Sequence, residues 1–208
     1  LYDRGKDKHY NNEEQIRLRA YHNLSFEEAL FCLLCRYDMI QGAGLQAGVP
    51  GSIMDVLLDK FGCRFECFAS PLNCRYDSFA SAFGDVDVAF GSQGSFFELP
   101  SLVHNDNDES DTHDNLQPIC YEANPPFCDG LILQLDDKIT KVFSSQQGNQ
   151  RPIMFIVFVP AWKDSKCYQA LLENQHLVKH VFLPQGEHWY AEGTQHRRKE
   201  SFRVASFD

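Results

Sequence analysis

The sequence predicts an α/β domain of the Rossmann-like class, with a mostly parallel central sheet flanked by helices and an antiparallel edge at its C-terminal end. Three observations carry that expectation. Strand-like runs alternate with helix-like runs along most of the chain, the order that parallel strands joined by crossover helices require. The run PIMFIVFV at 152–159 is apolar almost throughout, as a strand covered on both faces must be. The last candidate strands, VKHVFL at 178–183, EHWY at 187–190 and FRVASF at 202–207, follow one another too closely for crossovers and suit antiparallel pairing. With 208 residues, 43% of them hydrophobic, the chain is large enough for one core and small for two. None of its apolar runs approaches the ~18–20 residues of a membrane-spanning helix.

Residues 1–22 are polar and mixed in charge and are expected to be the remnant of an upstream helical region, with the domain occupying 23–208. The chain opens on Leu1 without a basic, apolar, then small-residue leader, so it is expected to be a piece of a longer protein. Ser25 followed by Glu28 forms a capping box, and the dense apolar run after it predicts a buried helix to about Ile40. QGAGLQAGVPG at 41–51 reads as a glycine-rich loop. Ser52 is the expected cap of a second helix to about Phe61, with Ile53, Val56, Leu57 and Leu58 to bury and Gly62 to end it. CRFECFAS at 63–70 is a bounded, aromatic-rich strand that Pro71 stops.

The next strand candidate is VDVAF at 86–90, followed by PICYEA at 118–123, helices at about 128–144 and 165–175, and the strands already named. Between them, residues 101–118 carry five acids and no Lys or Arg, which predicts a solvated, mobile loop. Its Asp and Asn spacing lacks the glycine and terminal glutamate of a calcium loop.

Charge excludes a simple electrostatic nucleic-acid binder: 29 acids against 19 Lys and Arg leave a formal charge of −10. Any polyanion site must therefore be local, and His196, Arg197, Arg198 and Lys199 form the densest cationic run. The eight cysteines fall inside apolar runs, Cys32, Cys35, Cys63, Cys67 and Cys120 among them, and read as reduced core thiols. Cys32 and Cys35 lack a second pair to complete a zinc site, and His176 with His180 at helical spacing reads as a surface pair. No metal is expected.

The most specific local feature is Asn124-Pro125-Pro126-Phe127, directly after the strand PICYEA and before a helix. It fits the (Asp/Asn/Ser)-Pro-Pro-aromatic motif of amino-group methyltransferases. An exocyclic adenine amine is a poor nucleophile because its lone pair is delocalised into the ring. The amide oxygen of Asn124 and the carbonyl of Pro125 can accept its two hydrogens and draw the nitrogen towards tetrahedral geometry. The prolines stiffen the turn and remove competing donors, and Phe127 is placed to stack on the purine. Glu122 is read as orienting the turn or standing in solvent at the strand end. The fold expectation thereby narrows to a class I methyltransferase, whose S-adenosylmethionine would lie at the C-terminal ends of the central strands. Phe68, Ala69, Ser70, Pro71 and Asn73 supply one small-residue turn there, and Gly91, Ser92 and Gly94 a second.

FECFASPLN, FGSQGSFF, EANPPFCDGL, IVFVPAW and EHWYAEGTQHRRKE, in this order, resemble the methyltransferase domain of the phosphorylated-CTD-interacting factor family of cap-specific adenosine methyltransferases. The resemblance runs from about Phe31, through GAGLQAGVP, to about Glu200. It implies a nuclear enzyme that uses S-adenosylmethionine to methylate adenine N6 of the first transcribed nucleotide, usually 2′-O-methyladenosine, beside a 7-methylguanosine mRNA cap. Asn124, Pro125, Pro126 and Phe127 then match the family's catalytic turn, and the FASPLN and FGSQG segments its cofactor-facing loops. The family's WW domain, which engages the phosphorylated tail of RNA polymerase II, and most of its helical domain are expected to lie outside this stretch of sequence. The motif reports the amine and not its carrier, so another RNA or DNA adenine, or a catalytically silent transcription-associated module, stays open.

Overall fold

The computed structural model describes residues 24–40, 45–99, 118–146, 151–192 and 203–204. The N-terminal segment 1–22, the acidic run 101–117 and the cluster His196 to Lys199 lie outside the described residues.

Helix α1 (Phe26–Met39) starts at the expected capping box, with the Glu28 amide donating to Ser25 Oγ at 3.2 Å and the Ser25 amide to the Glu28 carboxylate at 2.8 Å. Its buried stripe, Ala29, Leu33 and Tyr37, packs on Val86 and Phe90. The segment 41–51 is not all loop: Ala47–Gly48 forms a short strand, β1, and Gly51 already belongs to α2 (Gly51–Phe61). Ser52 is not the cap of α2. Pro50 holds that position, its carbonyl accepting the Ile53 and Met54 amides, because its fixed φ pre-sets the turn into the helix. Gly62 ends α2 at φ 63°, a left-handed conformation that a Cβ would strain.

Strands β2 (Phe65–Ala69), β3 (Ser78–Ser81), β4 (Ile119–Ala123) and β5 (Ile153–Val157) form one parallel sheet in the order β3-β2-β4-β5. The predicted strand at 86–90 is instead helical, with α3 (Gly84–Asp87) followed by a 3-10 turn at Val88–Phe90. Its apolar residues alternate as in a strand, yet Val86 and Phe90 are also four apart and bury together against α1. Asp87 then turns inward, accepting the Phe83 amide at 3.3 Å. The strand role falls to SFAS, too short to stand out in the sequence.

Helix α4 (Asp129–Ser145) buries Leu135 and Ile139 against Phe65, Tyr121 and Ala123 on one face of the sheet, while Met54 and Leu57 of α2 join Cys63 and Cys120 in the cluster on the other. Coverage of both faces explains the apolar strands. Helix α5 (Lys166–Glu173) follows β5, capped by Ser165. VKHVFL forms no strand. His180 sits 3.2 Å from the Tyr168 hydroxyl of α5, the Lys163 ammonium lies 4.4 Å from the Phe182 ring, and Val178 is 97% exposed, so the run has no sheet edge to join. His176 lies beyond α5, stacked on Phe143, and shares no helix with His180.

The last strands, β6 (Tyr190–Glu192) and β7 (Arg203–Val204), are antiparallel as expected, but they do not edge the parallel sheet. They join β1 in a second sheet, β1-β6-β7. All eight cysteines are free; Cys63, Cys67, Cys120 and Cys167 are buried, whereas Cys35 and Cys128 are exposed and Cys32 is half-buried, so not all are core thiols. Among the described residues no helix is long and apolar enough to cross a membrane.

Candidate functional site

From β2 the chain crosses to β3 on one side and then to β4 on the other. At such a reversal the crossovers part, leaving a crevice beyond the strand ends. A cavity of about 460 Å³ occupies that place, a size suited to a small organic ligand. Glu66, Phe68, Ala69, Ser70 and Asn73 line it from β2 and the following turn, Glu122, Asn124 and Pro126 from β4, and residues 45–49 from the side of β1.

Asn124 is 8% exposed. Its Nδ2 donates to the Ala47 carbonyl at 2.6 Å, and since a carbonyl only accepts, this bond fixes which way the amide points. Oδ1 is left buried without a hydrogen-bond partner among the described residues, and a buried acceptor left unpaired costs about 1–3 kcal/mol. The strand β1 that supplies the Ala47 carbonyl is itself pinned: Gln46 Nε2 donates to the Tyr37 and Ile40 carbonyls at 3.1 and 2.7 Å, closing the C-terminal end of α1.

The other motif residues divide. Pro126 lines the cavity and accepts the Cys128 amide at 2.7 Å, while Pro125 is fully buried. Phe127 does not line the cavity; it is buried with its ring 4.9 Å from that of Tyr190 in an edge-to-face contact. That contact ties the Asn-Pro-Pro-Phe turn to β6.

Of the first expected ligand turn, Phe68, Ala69, Ser70 and Asn73 line the cavity and Pro71 does not. The turn is closed on itself, with Asn73 Oδ1 accepting from the Ser70 amide at 2.8 Å and the Ser70 hydroxyl at 2.9 Å. The second turn stands one layer back: Gly91, Ser92 and Gly94 do not line the cavity. The Ser92 hydroxyl is 2.6 Å from that of Ser81, and the Gly94 carbonyl accepts the Ser81 amide at 2.9 Å. These residues brace the end of β3, and Ser81 rather than the glycines faces the cavity.

Two carboxyls were not expected here. Glu66 and Glu122 stand opposite each other in register on β2 and β4, and both line the cavity. Glu66 Oε1 accepts the Arg75 and Tyr76 amides, each at 2.7 Å, and burial lifts its pKa to about 7. Glu122 is 2% exposed, which corrects the reading of a strand end in solvent; burial first and then the Glu66 charge push its pKa well above the carboxylate range. A glutamate inside each of two apolar strands was the available signal, but their register is not written in either strand. Tyr37 also reaches the cavity, its hydroxyl donating to the fully buried Asp87 at 2.5 Å. Among the described residues no group of three or more His, Cys, Asp or Glu is arranged to hold a metal.

The arrangement offers an oriented, unpaired acceptor beside a cavity with an acidic floor. The family model described as the phosphorylated CTD interacting factor 1 WW domain matches residues 7–193, a span that includes the parallel sheet and the Asn-Pro-Pro-Phe turn. The chain is 35% identical over 179 residues to the mRNA (2′-O-methyladenosine-N(6)-)-methyltransferase of Mus musculus and 34% identical over 179 residues to that of Homo sapiens. Each alignment covers 82% of this chain and 23% of the relative, so the chain spans about a quarter of the length of the curated relatives it matches.

Proposed function

The chain belongs to the phosphorylated CTD interacting factor 1 family, and from that premise we propose that its cavity binds S-adenosylmethionine and that Asn124 presents adenine N6, in the cap-adjacent 2′-O-methyladenosine of mRNA, for methylation. The observation that carries the reading is the buried, unpaired Oδ1 of Asn124, held towards its ligand by the Ala47 carbonyl. An amine hydrogen is the donor this acceptor lacks.

The residues present fit the methyl donor. The cavity is large enough, Ala69 and Ser70 let a ligand approach the backbone, and the carboxyls of Glu66 and Glu122 suit a ligand that carries positive charge. When bound, the donor supplies a sulfonium-activated methyl group, and its thioether is the leaving group. Asn124 Oδ1 and the Pro125 carbonyl accept the two amine hydrogens, which localises the nitrogen lone pair as the nitrogen becomes tetrahedral. Neither proline has an N–H to compete. Catalysis on this reading is orientation and exclusion of water rather than covalent chemistry. The methylated amine is acidic enough to lose its proton to water, so no side chain need act as base.

Phe127 serves as the wall that keeps the turn in place, since Tyr190 already packs against its ring. His196, Arg197, Arg198 and Lys199 hold RNA or cap phosphates. The full-length protein is nuclear and meets the phosphorylated RNA polymerase II tail through parts beyond this chain. Methyl transfer to capped against uncapped RNA beginning with adenosine tests the reading. Activity restricted to capped RNA supports it, equal activity on both assigns another adenine substrate, and no binding of S-adenosylmethionine by calorimetry leaves a silent binding module.

A further inference from the structure

The carboxyls at the cavity floor are not explained by a hydrogen-bonded core. Glu66 spends one oxygen on the Arg75 and Tyr76 amides. Glu122 is 2% exposed and lines the cavity beside it. Their Cα positions are paired in register on adjacent parallel strands, about 5 Å apart, so both side chains leave the same face of the sheet, and the Glu66 charge disfavours ionisation of Glu122.

Among the described residues Arg75 is the cation near the pair, and its charge offsets only part of the rise that burial imposes on Glu66. The Arg75 guanidinium is engaged with Asp55 on the exposed side of α2. The other titratable groups near the pair are Cys63, Cys67, Cys74, Cys120 and Tyr76. Burial and the neighbouring negative charges push Cys67, Cys74 and Tyr76 up, and hydrogen bonding with Cys120 together with burial does the same to Cys63, so none of these four carries charge near neutrality. A buried acid whose only open side faces a cavity is stabilised in its ionised form by a cation arriving in that cavity.

We infer that Glu66 and Glu122 form a receptor for the positive charge of the methyl donor, and that donor binding releases the proton the two carboxyls share. The inference rests on the methyl-donor reading above and adds to it a charge-compensating role for two residues outside the Asn-Pro-Pro-Phe turn. The proton leaves a carboxyl oxygen for solvent buffer, no bond in the ligand is made or broken, and the cation of the ligand takes the place of the proton's charge. Two groups on S-adenosylmethionine supply such a charge, the α-ammonium and the sulfonium. Burial lifts the Glu66 pKa to about 7 and pushes that of Glu122 well above the carboxylate range. Proton release is therefore expected near neutrality, and donor affinity rises with pH through that range.

Titration calorimetry of the purified protein near neutrality, in two buffers of different ionisation enthalpy, counts the protons. S-adenosylmethionine should release about one proton per site and 5′-methylthioadenosine, which lacks both charges, none. S-adenosylhomocysteine keeps the ammonium and lacks the sulfonium, so release with it assigns the ammonium and no release assigns the sulfonium. Glu122→Gln should weaken S-adenosylmethionine by about tenfold or more and abolish the buffer dependence, with 5′-methylthioadenosine binding unchanged as the check that the cavity is intact. Donor binding without proton release, or wild-type affinity in E122Q, overturns the inference alone. Failure of the wild-type protein to bind S-adenosylmethionine overturns the methyltransferase reading and the inference with it.

Discussion

Asn124 and Ala47 stand 77 residues apart and are joined by one hydrogen bond of 2.6 Å, from the side-chain amide of the first to the backbone carbonyl of the second. The bond crosses from the end of the parallel sheet to the small antiparallel one. Two residues of strand contribute little to stability, yet the pairing of β1 with β6 sets where the Ala47 carbonyl points. The second sheet thus acts as a jig for a single amide.

Two substitutions at Asn124 separate the acceptor from its orientation. Asn124→Ala removes the acceptor and should lower turnover by about two or more orders of magnitude, with little change in donor affinity, because the lost contact strengthens only as the amine becomes tetrahedral. Asn124→Asp keeps an acceptor but sets a carboxylate oxygen against the Ala47 carbonyl, so it should also lose most activity. Single-turnover kinetics with calorimetry of the methyl donor checks both. Turnover near that of the wild type in Asn124→Ala would remove Asn124 from the chemistry.

Residues whose partners lie close in sequence were legible: the Ser25–Glu28 box, the Gly62 stop, the strands β2, β4 and β5, and the Ser70 turn were all written in local pattern. What escaped depended on long-range pairing. VDVAF satisfies both a strand and a helix period, and only its burial against α1 decides between them. Ala47–Gly48 is a strand because β6 comes to it, not because alanine and glycine favour one. Glu66 and Glu122 become a pair only through the register of β2 on β4, which neither strand carries by itself. Gln46 carried no signal, since its role is to close the carbonyl end of a helix several residues earlier.

Phe127 tests whether the aromatic of the motif is a wall or a contact. Its buried ring meets Tyr190 edge to face, so Phe127→Ala should open a cavity and destabilise the protein by about 3–5 kcal/mol, whereas Phe127→Leu should keep most of the packing. Urea denaturation measures the first effect and the Michaelis constant for RNA the second. If Phe127→Ala left stability unchanged and raised only the Michaelis constant, the ring would be a substrate contact.

Asp87 gives a pH signature distinct from the cavity. Burial raises its pKa from 3.8 to about 6, with the Tyr37, Ser81 and Phe83 hydrogen bonds opposing that rise. The native state therefore holds the Asp87 proton more tightly than the unfolded chain does. This group's contribution to stability is fully present below about pH 4 and is lost as pH rises through about 6. Asp87→Asn removes the titration while keeping an oxygen to accept from Tyr37. The stability of the variant relative to the wild type should improve across that window by about 3 kcal/mol, read from urea midpoints at matched pH values. A difference that stays flat with pH would mean that Asp87 has the same pKa in the native and unfolded states.

A chain with a formal charge of −10 repels a polyanion overall, so RNA binding on the proposed reading has to be local. Net repulsion has to be overcome locally, and His196, Arg197, Arg198 and Lys199 are the densest cationic run available. Phosphate binding by such a run releases counterions from the RNA, so affinity falls with the logarithm of salt in proportion to the contacts made, with a slope of about 0.7 per phosphate for a single strand. Replacing Arg197 and Arg198 together with alanine should raise the Michaelis constant for capped RNA and flatten that slope by about 1.4 if each arginine neutralises one phosphate. Methyl-donor affinity should not move, because the cavity proposed for the donor is lined from the strand ends of the parallel sheet. A double variant with the wild-type slope would place the phosphate contacts on residues other than Arg197 and Arg198.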